Sequence, residues 1–203
     1  MPEKTIDLHI DYKSPYAYLA VEPAWTLERD FRVRLNWLPY TLDNPDVLAS
    51  ARVDEGGRVI AENRSAHQWR RVRYAYMDVR RYANLRGLTV RGPRKIWDSS
   101  LAGIGLLYAK EQGVFPAYNA NVYERFWRGE LDIEKPEVIE GGVLAEEAGV
   151  FGVPTFVLDE EIFFGREHLA LIGLRLVEQG LRRTDAGPFV DATYAWRLGA
   201  PGV

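Results

Sequence analysis

Ile6-Asp7-Leu8-His9-Ile10-Asp11-Tyr12-Lys13-Ser14-Pro15-Tyr16-Ala17-Tyr18-Leu19-Ala20 decides how this chain is read. Ile6, Leu8 and Ile10 alternate with Asp7, His9 and Asp11, the period of a strand with one buried face. Ser14-Pro15 then pairs an N-cap residue with a proline at the first helical position, and an apolar helical run follows. The strand therefore delivers Ser14 to the positive end of a helix, where a thiolate, a carboxylate or a phosphate is favoured. Taken alone, Ser14-Pro15 reads first as a plain cap, and the rest of the chain shifts that reading.

Outward from that stretch, a helix is expected over residues 16–28, with Pro23 able to kink it. Phe31, Val33, Leu35 and Trp37 alternate with polar neighbours as a second strand, parallel to the first across a right-handed crossover. Residues 39–63, rich in Asp, Asn, Pro and Gly, read as a long loop with a short helix near 47–51. Trp69, Val72, Tyr76, Val79 and Ala83 then mark one face of a long helix over 65–86, stopped by Gly87. Further helices are expected over 99–112, 115–129 and 136–148. Residues 155–158 and 162–164 form a hairpin around Asp159-Glu160. A last helix opens at Gly165 and runs to about 180, and a tail packs through Phe189, Tyr194 and Trp196.

The order β-α-β, helices, β-β-α defines an α/β chain with a thioredoxin-like fold. An all-helical domain is inserted between its second and third strands. The expected boundaries are 1–40 with 149–183 for the thioredoxin-like part, 41–148 for the insertion and 184–203 for the tail. In that fold a proline before the third strand is cis and faces the first helix, so Val153-Pro154 is expected to be cis.

Bulk properties narrow the chemistry. The chain has 203 residues, net charge −3 and no cysteine, which excludes disulfides, a thiolate of its own and cysteine metal sites. His9, His67 and His168 lack ligand spacing, so no metal is expected. The absence of a long apolar run or leader pattern points to the cytoplasm and to no membrane partner. Residues 64–95 carry ten Lys or Arg against one acid, Asp78. That run reads as a solvated helix face or a rim attracting an anionic substrate. A nucleic-acid partner is set aside because the whole chain is acidic. Tyr74, Asp78 and Arg81 are read as holding the helical block together.

Ser14-Pro15-Tyr16, Gly152-Val153-Pro154-Thr155, Phe163-Phe164-Gly165-Arg166-Glu167-His168-Leu169, Trp97-Asp98-Ser99 and the Tyr74, Asp78, Arg81, Ala83, Gly87-Leu88 pattern together carry a resemblance. Over residues 4–178 the chain resembles the 2-hydroxychromene-2-carboxylate isomerases and kappa-class glutathione transferases, the thiol-free branch of the DsbA-like superfamily. The resemblance implies glutathione as cofactor, its sulfur received by Ser14, which donates a hydrogen bond and does not itself attack carbon. Val153 beside Pro154 would pair with the tripeptide backbone. Phe164, Gly165, Arg166 and Glu167 would hold the γ-glutamyl end, although Arg166 and Glu167 also read as an ordinary polar helix start. Trp97, Asp98, Asn63, Arg64 and Tyr16 would contact an aromatic or conjugated carboxylate substrate, and the protein would be a homodimer. Lys13 stands where an apolar residue is common, and Asp98 where the isomerases usually have Asn. The alternative function is a non-catalytic thioredoxin-fold binding protein.

Overall fold

The computed structural model describes residues 4–42, 51–54, 58–135 and 153–186. The chain divides into two compact units, Met1–Tyr40 with Ala145–Val203, and Thr41–Leu144. The readings made for 47–50, 136–148 and the tail from 187 onward lie outside the described residues.

In the first unit, β1 (Lys4–Ile10) pairs parallel with β2 (Val33–Pro39) and antiparallel with β5 (Thr155–Leu158). Antiparallel β6 (Glu161–Phe164) completes a four-stranded sheet in the order β2-β1-β5-β6. The register aligns Leu8 with Trp37 on one side and Phe156 on the other, and Phe156 with Phe163. This row is buried throughout. Helix α1 (Pro15–Asp30) closes over it, with Trp25 packed 4.9 Å from Trp37. Each such large apolar side chain taken from water contributes about 1.5–3 kcal/mol before entropy is counted. A 3₁₀ turn (Arg166–His168) precedes α5 (Leu169–Glu178), which buries Leu169, Ile172 and Leu176.

Two expectations need correction here. The β1 alternation predicts one buried face, yet His9 and Asp11 are also only 2% exposed. Periodicity reports polarity along a strand, and polarity does not say what covers the far side. The last helix does not open at Gly165: its first turn is 3₁₀, and α-helical geometry starts at Leu169. Gly165 sits at φ 104°, outside any helical region, so the helix cannot include it.

The second unit is not wholly helical. Inside the stretch read as loop, β3 (Ala51–Val53) pairs antiparallel with β4 (Val59–Glu62). These strands are short and β4 is exposed along its length, so no hydrophobic alternation announces it. Helix α2 (Ala66–Leu85) opens with a reciprocal capping box between Ser65 and Gln68 and buries Val79 and Ala83. Helices α3 (Ser100–Glu111) and α4 (Phe115–Trp127) are tied by the Tyr118 hydroxyl, which donates to the Ala102 carbonyl at 2.9 Å. Tyr74 does not hold this block together, because it is 59% exposed. No helix among the described residues is long and apolar enough to cross a membrane.

Candidate active site

The first unit builds its site around one turn. The Ser14 amide donates to the Asp11 carbonyl at 3.0 Å, closing a four-residue turn at the end of β1. Within it the Asp11 carboxylate accepts the Lys13 amide at 3.0 Å, the local bond that makes Asp a favoured turn residue. Ser14 has the extended backbone of an N-cap residue (φ −89°, ψ 113°), and its Oγ accepts the Ala17 amide at 3.2 Å. Pro15 follows at the first helical position. The Ser14 hydroxyl donates to the Val153 carbonyl at 3.4 Å, a long bond for an O–H donor.

Val153-Pro154 is cis. The Pro154 carbonyl accepts the Gly165 amide at 2.9 Å, which brings the 3₁₀ turn beside the same segment. Arg166, in that turn, is 7% exposed, and its guanidinium lies 5.9 Å from the ring of Tyr16 in the first turn of α1. Glu167 is exposed, while its carboxylate packs against Gly165 where a Cβ would stand. Phe164 is 42% exposed and registers opposite Thr155. The structure thus brings Ser14, Tyr16, Val153, Pro154, Gly165, Arg166 and Glu167 into one neighbourhood.

The electrostatics of this neighbourhood are mixed. It holds the positive end of a 16-residue helix with no acid in its first turn. Asp11 is fully covered at its side chain, and the ammonium of Lys13, whose side chain is only 11% exposed, stands 3.7 Å from it. His9, two residues back on β1, has its pKa pushed below the ordinary 6.5 by burial, with the nearby Asp7 carboxylate opposing. From sequence, Asp11 reads only as a polar position of the alternation and Lys13 only as a charged residue where an apolar one is common; their pairing does not show. Their signal is an Asp two positions before a Lys, directly ahead of an N-cap, and it shows only once the turn is known.

The remaining predicted residues belong to the second unit and fall in two places. Trp97 meets Phe126 edge-on at 5.7 Å and carries the Lys95 ammonium 4.6 Å from its ring. Asp98 Oδ1 accepts both the amide and the hydroxyl of Ser100, at 2.9 and 2.6 Å. Glu134 accepts the Asp98 amide at 2.8 Å and pairs with Lys95. Glu134 lies 36 residues from Asp98, so no local pattern could have announced it. Ahead of α2, Asn63 is exposed and Arg64 lies 5.0 Å over the ring of Trp69.

No family model matches the chain. It is 24% identical over 195 residues to the 2-hydroxychromene-2-carboxylate isomerase of Pseudomonas putida, an alignment spanning 82% of this chain and 91% of the relative. A solved structure of a 2-hydroxychromene-2-carboxylate isomerase superposes with a TM-score of 0.60 at 21% identity, covering 87% of this chain and 97% of the other. A probable DsbA oxidoreductase from Streptomyces coelicolor superposes at 0.56 and 17% identity, covering 92% of each chain. The fold is the DsbA-like thioredoxin fold.

Proposed function

We propose that this DsbA-like thioredoxin-fold chain is a glutathione-dependent isomerase, or a kappa-like glutathione transferase, acting on a small aromatic or conjugated acid. One observation carries the reading: a serine, in a chain without cysteine, caps α1 opposite Val153 and cis-Pro154. A DsbA-like redox enzyme needs a thiol at such a helix start, and this protein has none to offer. What it retains is a place that favours a sulfur anion brought by a ligand. The isomerase identity of the relative supports the same reading.

The donor set suits glutathione. Ser14 would turn its hydroxyl from the Val153 carbonyl to the sulfur, exchanging a long neutral hydrogen bond for a charge-assisted one. The Val153 main chain would pair with the tripeptide backbone, the covered Arg166 would supply positive charge, and Glu167 would meet the amine. Bound glutathione supplies a nucleophile that adds reversibly to an unsaturated carbon, the chemistry that lets a double bond rotate or a ring reopen. The α1 dipole and the Ser14 hydroxyl would hold the negative charge on sulfur before and after that step.

Thermal unfolding with and without millimolar glutathione tests this directly. Glutathione at 100 times its dissociation constant adds about 2.7 kcal/mol to the wild type. Ultraviolet absorbance of the bound thiolate against pH gives a thiol pKa below that of free glutathione, and Ser14→Ala reverses the shift. No stabilisation by glutathione would end the proposal and leave the fold untouched.

A further inference from the structure

We propose that Asp11 and Lys13 act as one charge-balanced unit that sets the acidity of a thiol held at Ser14. Asp11 is the positioning member, and Lys13 keeps its buried charge compatible with an anion beside it. The inference rests on the reading of position 14 as a thiolate site, and it concerns this chain's own residues.

The geometry is specific. Asp11 has no exposed side-chain surface, and both of its oxygens face Lys13. Oδ1 accepts the Lys13 amide at 3.0 Å, and Oδ2 stands 3.7 Å from the Lys13 ammonium. The backbone of the same residue accepts the Ser14 amide at 3.0 Å. One aspartate therefore shapes the turn that aims Ser14, through two bonds to consecutive amides. The cost is a carboxylate buried three residues from a site meant for negative charge. Left alone, it would oppose a thiolate in the low dielectric of the interior. Lys13 offsets it from within the same turn. At 3.7 Å the pair is looser than a closed hydrogen-bonded ion pair, so the ammonium's field extends beyond Asp11.

Other charged or titratable groups on the packed elements are accounted for as well. His9 and Tyr12 are buried on β1 and its turn, and Tyr16 lies in the first turn of α1 with the Arg166 guanidinium over its ring. Glu167 packs on Gly165, and His168 closes the 3₁₀ turn. Tyr12 lies inside the turn without a carboxylate or an ammonium, so Asp11 and Lys13 are the two residues of the turn that carry charged side chains.

The test uses a thiol placed at the site. The S14C variant contains a single sulfhydryl, since the wild type has no cysteine. Its pKa is read from the pH dependence of iodoacetamide alkylation. In that background K13M raises the thiol pKa by roughly one unit and D11N lowers it by a similar amount, the signs that follow from removing a cation and an anion from the same turn. D11N with K13M together return it to within a few tenths of the S14C value, and K13R leaves it unmoved. A merely structural role would not reverse sign between D11N and K13M. An unchanged pKa in K13M, or no restoration in the double variant, overturns the proposal; so does equal disturbance by K13R and K13M. Should K13M fail to fold, the D11N shift and its cancellation by the second change decide alone. Glutathione bound to the Ser14 protein is measured in parallel by its thiolate absorbance. Failure of glutathione to bind while the S14C series keeps its order sinks the function proposed above, not the pair. Binding with an unordered S14C series sinks the pair and spares the function.

Discussion

The Ser14 hydroxyl donates to the Val153 carbonyl across 3.4 Å, joining two residues 139 positions apart. The same oxygen accepts the Ala17 amide at 3.2 Å. One side chain is thereby both the cap of α1 and its link to the segment preceding cis-Pro154. The two roles separate on substitution, and that separation makes the site testable.

Ser14→Ala leaves the Ala17 amide without its cap. The variant should unfold about 1 kcal/mol more easily than the wild type in urea, the usual cost of losing a serine cap. Ser14→Asp restores a cap oxygen and should recover that stability while excluding a second anion. The pair of variants thus divides the cap from the binding role: equal glutathione affinity in the wild type and Ser14→Asp would count against an anion site.

Gly165→Ala is expected to destabilise by about 1–3 kcal/mol, because φ 104° with ψ 150° is a region kept almost wholly for glycine. An added Cβ there would also meet the Glu167 carboxylate. Both strain and displacement predict weaker glutathione binding, measured by calorimetry, than Glu167→Gln produces alone.

His9 makes stability fall in mild acid. Its pKa is lower folded than unfolded, so the unfolded chain binds more protons between the two values. The stabilising contribution is complete above about pH 6.5 and is lost as pH falls from there through the lowered folded value, at up to about 1.4 kcal/mol per pH unit. His9 Nδ1 is buried and has no hydrogen-bond partner among the described residues, so His9→Leu removes no bond to them through that atom. Urea titrations at pH 7.5 and 5.5 should show a smaller loss in His9→Leu than in the wild type.

Asp98, the residue before the N-cap Ser99, accepts the amide and the hydroxyl of Ser100, the first residue of α3. Asp98→Ala should cost about 1 kcal/mol in thermal unfolding. Asp98→Asn, which keeps an acceptor oxygen, should cost a few tenths. An equal loss in both would place the effect on charge instead of on the bonds to Ser100.

Much of this was legible along the chain because its causes are local. The alternation of Ile6, Leu8 and Ile10, the Ser14-Pro15 start and the spacing of Trp69, Val72, Tyr76, Val79 and Ala83 each act within a few residues. The β3–β4 hairpin was not legible, since its exposed, short strands carry no apolar rhythm. Nor was the burial of His9, because a polar residue on a strand says nothing of what lies over it.

The sequence by itself determined the β-α-β and β-β-α order of the thioredoxin-like part, the absence of any thiol and the presence of a capped helix start at Ser14. Only the tertiary structure decided what that helix start faces. Val153 reaches Ser14 because β5 pairs antiparallel beside β1. Arg166 is covered at Tyr16, 150 positions away, and Lys95 meets Glu134, 39 positions away. Capping and periodicity are short-range and are written in neighbouring residues. Burial and the meeting of charges depend on chain segments far apart in sequence, and packing alone brings them together.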